Sequence, residues 1–153
     1  MLTIEPASDM SEVRALFLEY AAALGVDLSF QNFDEELASL PGDYDPILIA
    51  RWGNALAGCV AMHPYGNDVC EMKRLYVRPE LRKHRIGHAL ALRIIEEARV
   101  RGYRTMRLDT LPSMQQAMRL YESLGFVDIE PYRYNPIKGS RFLELTLQVS
   151  SRA

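Results

Sequence analysis

Residues 82–88 read Arg-Lys-His-Arg-Ile-Gly-His and fall where an extended run gives way to a helical one. Such a junction suits an anion. The first N–H groups of a helix lack intrahelical acceptors and carry the positive end of the helix dipole. Gly87 lets a ligand approach the backbone closely, and Arg82, Lys83 and Arg85 can add charge-assisted hydrogen bonds. Three readings fit the segment: a phosphate cradle built from residues 82–88, a solvated basic turn, or a nucleic-acid patch. The net charge of −2 and the sequence pI near 5.9 weigh against the last. The segment follows neither G-x-x-x-x-G-K-[ST] nor G-x-G-x-x-G, which disfavours a P-loop NTPase and a dinucleotide fold. Cys59 and Cys70 sit in apolar runs and read as buried reduced thiols rather than a disulfide framework. His63, His84 and His88 do not stand at metal-ligand spacing, so no metal is expected.

The elements that must position this segment follow from periodicity. Residues 2–5 alternate as a strand. Asp9 with Glu12 suggests a capping box opening a helix that ends near Gly25, with Val13, Leu16, Phe17 and Tyr20 on one face. A short helix is expected over Asp34–Leu40. Strands follow at Ile47–Trp52 and Leu56–Met62, joined by a Gly53-Asn54 hairpin turn. A third central strand spans Val69–Val77. Its apolar phase slips at Lys73-Arg74, as a β-bulge would cause; a strand buried on both faces reads the same way. Ile86, Leu90, Ile94 and Ala98 stripe a helix that Gly102 stops. A strand at Tyr103–Asp109 follows. Ser113 with Gln116 suggests a second capping box, for a helix ending at Leu124. Strands are expected at 126–130 and 141–149. The expected fold is one α/β domain of the α+β type over residues 1–153. Its mixed, splayed sheet of about seven strands is flanked by about four helices. The N-terminal residues carry no secretory signal, and no run is long enough to span a bilayer, so a cytoplasmic protein is expected.

LYVRPELRKHRIGHAL (75–90) resembles the acetyl-CoA-binding motif of the GNAT N-acetyltransferases, Gln/Arg-x-x-Gly-x-Gly/Ala after a strand ending like L-Y-V-x-P. AMRLYESLGF (117–126) resembles the family's second motif, A-x-x-L-Y-x-x-x-G-F, in the same order and at the usual separation. Arg85 stands where the signature has its first Gly, and Met114 where the second motif often has Asn. Met114 cannot replace an Asn hydrogen bond to a pantetheine arm.

The resemblance implies acetyl-CoA as co-substrate. Its pyrophosphate would lie on the amides of residues 82–88 (Arg82, Lys83, His84, Arg85, Ile86, Gly87, His88). Its pantetheine arm would lie along Leu75 and Val77, with a backbone N–H near Leu75 as oxyanion donor. Tyr121 matches the family tyrosine that hydrogen-bonds or protonates the departing thiolate. A carboxylate on the third central strand, here Glu71, often serves as the base, and Asp109 is the alternative. A lysine-like amine has a pKa of roughly 10.4, so a base helps it attack at neutral pH. Tyr132 and Arg133, before the last strand, are candidate acceptor contacts. The expected reaction is direct attack of a primary amine on the thioester in a ternary complex. The expected partner is a small-molecule or peptide amine, with no nucleic acid and no membrane; a homodimer is open. A non-catalytic acyl-CoA-binding module on the same fold is the alternative.

Overall fold

Short extended runs alternate with amphipathic stretches along the chain. In the computed structural model, which describes residues 1–29 and 32–147, they become β1 (Leu2–Pro6), α1 (Met10–Leu24), α2 (Phe33–Ser39), β2 (Ile47–Trp52), β3 (Ala55–Pro64) and β4 (Val69–Val77). A 3-10 helix (Pro79–His84), α3 (Ile86–Val100), β5 (Thr105–Thr110), α4 (Gln115–Ser123), β6 (Val127–Ile129) and β7 (Arg141–Thr146) complete the order. The part of the expected last strand beyond residue 147 lies outside the described residues. None of the described helices is long and apolar enough to cross a membrane.

The strands form one seven-stranded sheet in the order β1-β2-β3-β4-β5-β7-β6. All neighbours are antiparallel except β4 and β5, which run parallel. The sheet is therefore mixed, as its strand-helix-strand and hairpin segments require. The Gly53-Asn54 turn closes the β2–β3 hairpin, with Gly53 at φ 62 and Trp52 paired to Ala55.

β4 explains the phase slip. Ala61 pairs with Lys73 and Cys59 with Tyr76, so two steps on β3 oppose three on β4. The extra residue is a bulge, and Arg74 adopts φ 64 within it. The strand is also buried on both faces over most of its length, so both readings of the slip describe it. Its pairing with β5 covers only Val69–Glu71. Beyond Glu71 the two parallel strands part, and the sheet opens as a V.

Each face of the sheet carries its own core. Ile86, Leu90 and Ile94 of α3 pack with Met118 and Tyr121 of α4 against Met72, Val77 and Met106. Val13, Leu16 and Phe17 of α1 pack with Phe33 of α2 against Ile49, Cys59 and Tyr76. Between the cores, Gly58 lets β3 approach β4 just past the bulge: a Cβ there would lie 2.3 Å from the Tyr76 carbonyl oxygen. Gly58→Ala is expected to cost about 2–3 kcal/mol, read as a lowered chemical-denaturation midpoint, because backbone must move to admit the methyl.

Neither expected capping box forms. Asp9 caps α1 by accepting the Ser11 N–H at 2.9 Å, but Glu12 turns away to Arg51 at 2.6 Å, a stronger partner than its own cap amide. α4 begins at Gln115, two residues after Ser113, too late for the Ser113 hydroxyl to act as its cap; Met114 is the cap residue. The Leu111 N–H instead points at the Met114 sulfur, 3.4 Å away.

Candidate active site

The V between β4 and β5 opens a groove lined by Leu75, Tyr76 and Val77 of β4, by Arg82, Arg85, Gly87 and His88, and by the start of α4. From Met72 onward, the β5-facing edge of β4 has no strand partner. Such an edge can pair with an extended ligand. At the groove's far end the 3-10 helix runs into α3 through Arg85, which takes φ 58 and ψ 31. A side chain in this left-handed region costs roughly 1–2 kcal/mol. That strain turns the chain so that the first turn of α3 faces the groove. A Cβ built on Gly87 would lie 3.7 Å from Val77 Cγ2, an ordinary contact. The protein itself does not require glycine there; the bare backbone leaves room on the groove side. Arg82 donates from Nε to the Val77 carbonyl at 2.8 Å and lies 5.8 Å over the Tyr76 ring, which fixes its guanidinium at the groove.

The groove runs inward to a smaller pocket. Leu75, Met114, Tyr20 and Leu24 line both, and Lys73, Asp109, Tyr121 and Asn135 line the inner one. Tyr121 is buried, packs at 5.6 Å from the Phe126 ring, and its hydroxyl has no hydrogen-bond partner among the described residues. Burial pushes its pKa above the ordinary tyrosine value. Asn135 donates to Asp109 Oδ2 at 3.0 Å and holds that carboxylate at the pocket wall. Lys73 is 8% exposed. Burial and the neighbouring Arg74 pull its pKa down to about 8, against the pull of Glu71 and Asp109.

Glu71 sits two residues earlier on β4, at 0% exposure. Its Oε1 is 2.8 Å from His63 Nε2 and 2.8 Å from Arg133 Nη1; its Oε2 accepts from the Tyr132 hydroxyl at 2.7 Å and from Arg133 Nη1 at 2.8 Å. Burial alone would raise its pKa. The His63 hydrogen bond, the charges of Lys73 and Arg133 and the Tyr132 hydroxyl outweigh it and hold the carboxyl at about 2. Arg74, the bulge residue, faces the other way. It bonds Glu36 of α2 through Nε at 3.0 Å and Nη2 at 2.7 Å, and lies over the Tyr20 and Phe33 rings. The bulge is thereby clamped to the helices above it.

Of the residues singled out in the sequence, Leu75, Val77, Arg82, Arg85, Gly87 and His88 meet on the groove. His84 instead stacks on Trp52 at 4.0 Å, Ile86 is buried in the core, and neither it nor Lys83 lines the groove. Tyr121 lies at the inner end; Glu71, Tyr132 and Arg133 form one hydrogen-bonded cluster whose members line neither the groove nor the inner pocket. Two members of the site carried no earlier assignment. His63 joins because β3–β4 pairing places it directly opposite Glu71. Lys73 figured only as a marker of the bulge; a charged residue inside an apolar strand, next to a phase slip, is the signal that could have found it.

The family model for the acetyltransferase (GNAT) family matches residues 11–126. An uncharacterized N-acetyltransferase of Schizosaccharomyces pombe is 45% identical over 146 residues, covering 91% of this chain and 89% of its own. A GNAT-family acetyltransferase structure from Staphylococcus aureus superposes with a TM-score of 0.80 at 17% identity, covering 97% of this chain and 100% of its own. The structure of yncA from Salmonella typhimurium with its cofactor acetyl-CoA superposes with a TM-score of 0.69 at 22% identity, covering 99% and 96%.

Proposed function

The chain belongs to the GNAT family of acetyltransferases, and we propose that it moves the acetyl group of acetyl-CoA onto a primary amine by direct attack in a ternary complex. The observation that carries this reading is the unpaired edge of β4 running from the bulge to the Arg85–Gly87 turn. The pantetheine arm fits beside Leu75 and Val77, where the edge needs a partner. The pyrophosphate fits over the bare backbone of Gly87, with Arg82 and Arg85 to balance its charge. That the chain's fold is shared with a protein solved with acetyl-CoA supports the same donor here.

The inner pocket then receives the thioester. The N–H near Leu75 serves as oxyanion donor, and Tyr121 donates to the sulfur as it departs. The amine enters beside Tyr132 and Arg133, which Glu71 orders. In this reading Glu71 acts as a fixed charge: with both oxygens engaged and a pKa near 2, it has little affinity for a further proton. A covalent acyl-enzyme finds little support. Burial pushes the Cys59 thiol far up and the Cys70 thiol to about 12, so neither supplies a thiolate at neutral pH. Reduced thiols also suit a cytoplasmic setting.

The test is thiol release from acetyl-CoA across a panel of primary amines. Saturable CoA binding without turnover on any amine or peptide would leave only a binding module. Arg82→Ala is expected to raise the dissociation constant for CoA about tenfold or more and to flatten its salt dependence, as loss of a charge-assisted contact requires; isothermal titration at two ionic strengths reads both. Unchanged affinity would remove Arg82 from the site.

A further inference from the structure

An acceptor amine must lose a proton as it attacks, and the fully paired Glu71 is poorly placed to take it. Another basic group lines the pocket where Tyr121 and Leu75 would meet the thioester. Resting on the acetyl-transfer reading above, we infer that the Lys73 amine is the proton acceptor of the reaction.

Lys73 lies between Glu71 and the bulge, at the point where β4 leaves β5, so the opening of the sheet places it in the inner pocket. Charged and titratable groups face it from several elements: Glu71 and Arg74 on β4, Asp109 on β5 and Arg133 before β7. Tyr20 of α1 and Tyr121 of α4 close the same pocket. Burial and the two arginines favour the neutral amine; the two carboxylates favour the protonated one, and the balance falls at about 8. A base whose proton affinity lies near the working pH is the efficient one. Lysine, unlike arginine, can occupy that range when buried.

The step balances with one proton released to solvent. Lys73 Nζ takes a proton from the acceptor's ammonium group, and the freed nitrogen forms a bond to the acetyl carbon. The carbon–sulfur bond breaks with its electron pair on sulfur. The nitrogen's second proton ends on the departing CoA thiolate, whose ordinary pKa is roughly 8.5, and Lys73 gives its own proton up to solvent. The products are the acetylated amine, free CoA thiol and one proton, with Lys73 restored to its neutral form.

Two measurements test the inference. The chain's lysines are Lys73, Lys83 and Lys138, so lysine labelled with carbon-13 at Cε gives few NMR signals to titrate in the intact protein. Lys73, assigned by its loss in Lys73→Arg, is expected to titrate near 8, well below the ordinary lysine value of roughly 10.4. Titration of Lys73 at the ordinary lysine value of roughly 10.4 overturns the inference whatever the acceptor. The second measurement compares phenethylamine, protonated at neutral pH, with hydroxylamine, which is not. Lys73→Arg keeps the charge and removes the base. It is expected to lower kcat/KM for phenethylamine about 100-fold or more, and for hydroxylamine by less than about 5-fold, with CoA affinity retained. Full turnover of phenethylamine by Lys73→Arg would reduce Lys73 to an electrostatic role and overturn the inference. Wild-type protein that releases no CoA with hydroxylamine or with any amine or peptide of the panel overturns the acetyl-transfer reading itself, and the inference falls with it.

Discussion

Glu71→Gln is expected to destabilise the fold by roughly 3–5 kcal/mol, the range for removing one partner of a buried ion pair. For a domain of this size that is a fall of roughly 10 °C in melting temperature. The reason lies in the partners. His63 Nε2, the Tyr132 hydroxyl and Arg133 Nη1 all approach the carboxylate, which can only accept, so each of them donates. A glutamine amide would turn its own donors onto a donor while leaving Arg133 without a counter-charge. The pH dependence has a definite sign. Glu71 has a pKa near 2 in the folded protein, against an ordinary value of 4.5. Its contribution is therefore fully present above about 4.5 and is lost as the pH falls from there through about 2. The difference in melting temperature between wild type and Glu71→Gln should shrink over that window. A variant as stable as wild type at pH 7 would show that the cluster is loose.

That cluster marks the boundary of what could be read along the chain. The elements were legible because their signals are local. The i, i+4 stripe of Ile86, Leu90 and Ile94 became α3, and the slip at Lys73-Arg74 became a bulge because side-chain alternation reports directly on backbone pairing. The groove was legible through the resemblance at 75–90. Caps were less so: a Ser or Asp three residues before Glu or Gln is a common pattern, and tertiary partners such as Arg51 for Glu12 decide whether it closes. The Glu71 cluster depended on contacts between residues far apart in sequence. Glu71 meets Tyr132 and Arg133 across 61 and 62 residues. The Arg74–Glu36 clamp spans 38. Nothing in the spacing of those residues announces that they meet; the order of strands in the sheet does.

Tyr121→Phe should show the largest loss of rate with the least loss of structure. The phenyl ring keeps the packing against Phe126 and the core, so the melting temperature should stay within about 2 °C of wild type. The hydroxyl has no hydrogen-bond partner among the described residues and lines the inner pocket, so its removal leaves no partner stranded. Burial raises its pKa, which makes outright proton transfer to a thiolate uphill. Its use is as a hydrogen-bond donor in a dry site, where charge builds on sulfur as the carbon–sulfur bond breaks. That charge is absent from bound acetyl-CoA and greatest as the thiolate leaves, so the interaction strengthens toward the transition state. Loss of one such donor is worth about 100-fold in kcat, or about 2.7 kcal/mol. CoA affinity should change by less than about 2-fold, since ground-state binding hardly uses the hydroxyl. Steady-state kinetics with one fixed amine, beside titration with CoA, separates the two. A Tyr121→Phe protein with undiminished kcat would take the hydroxyl out of the reaction, and one that lost CoA affinity in proportion would make it a binding group instead.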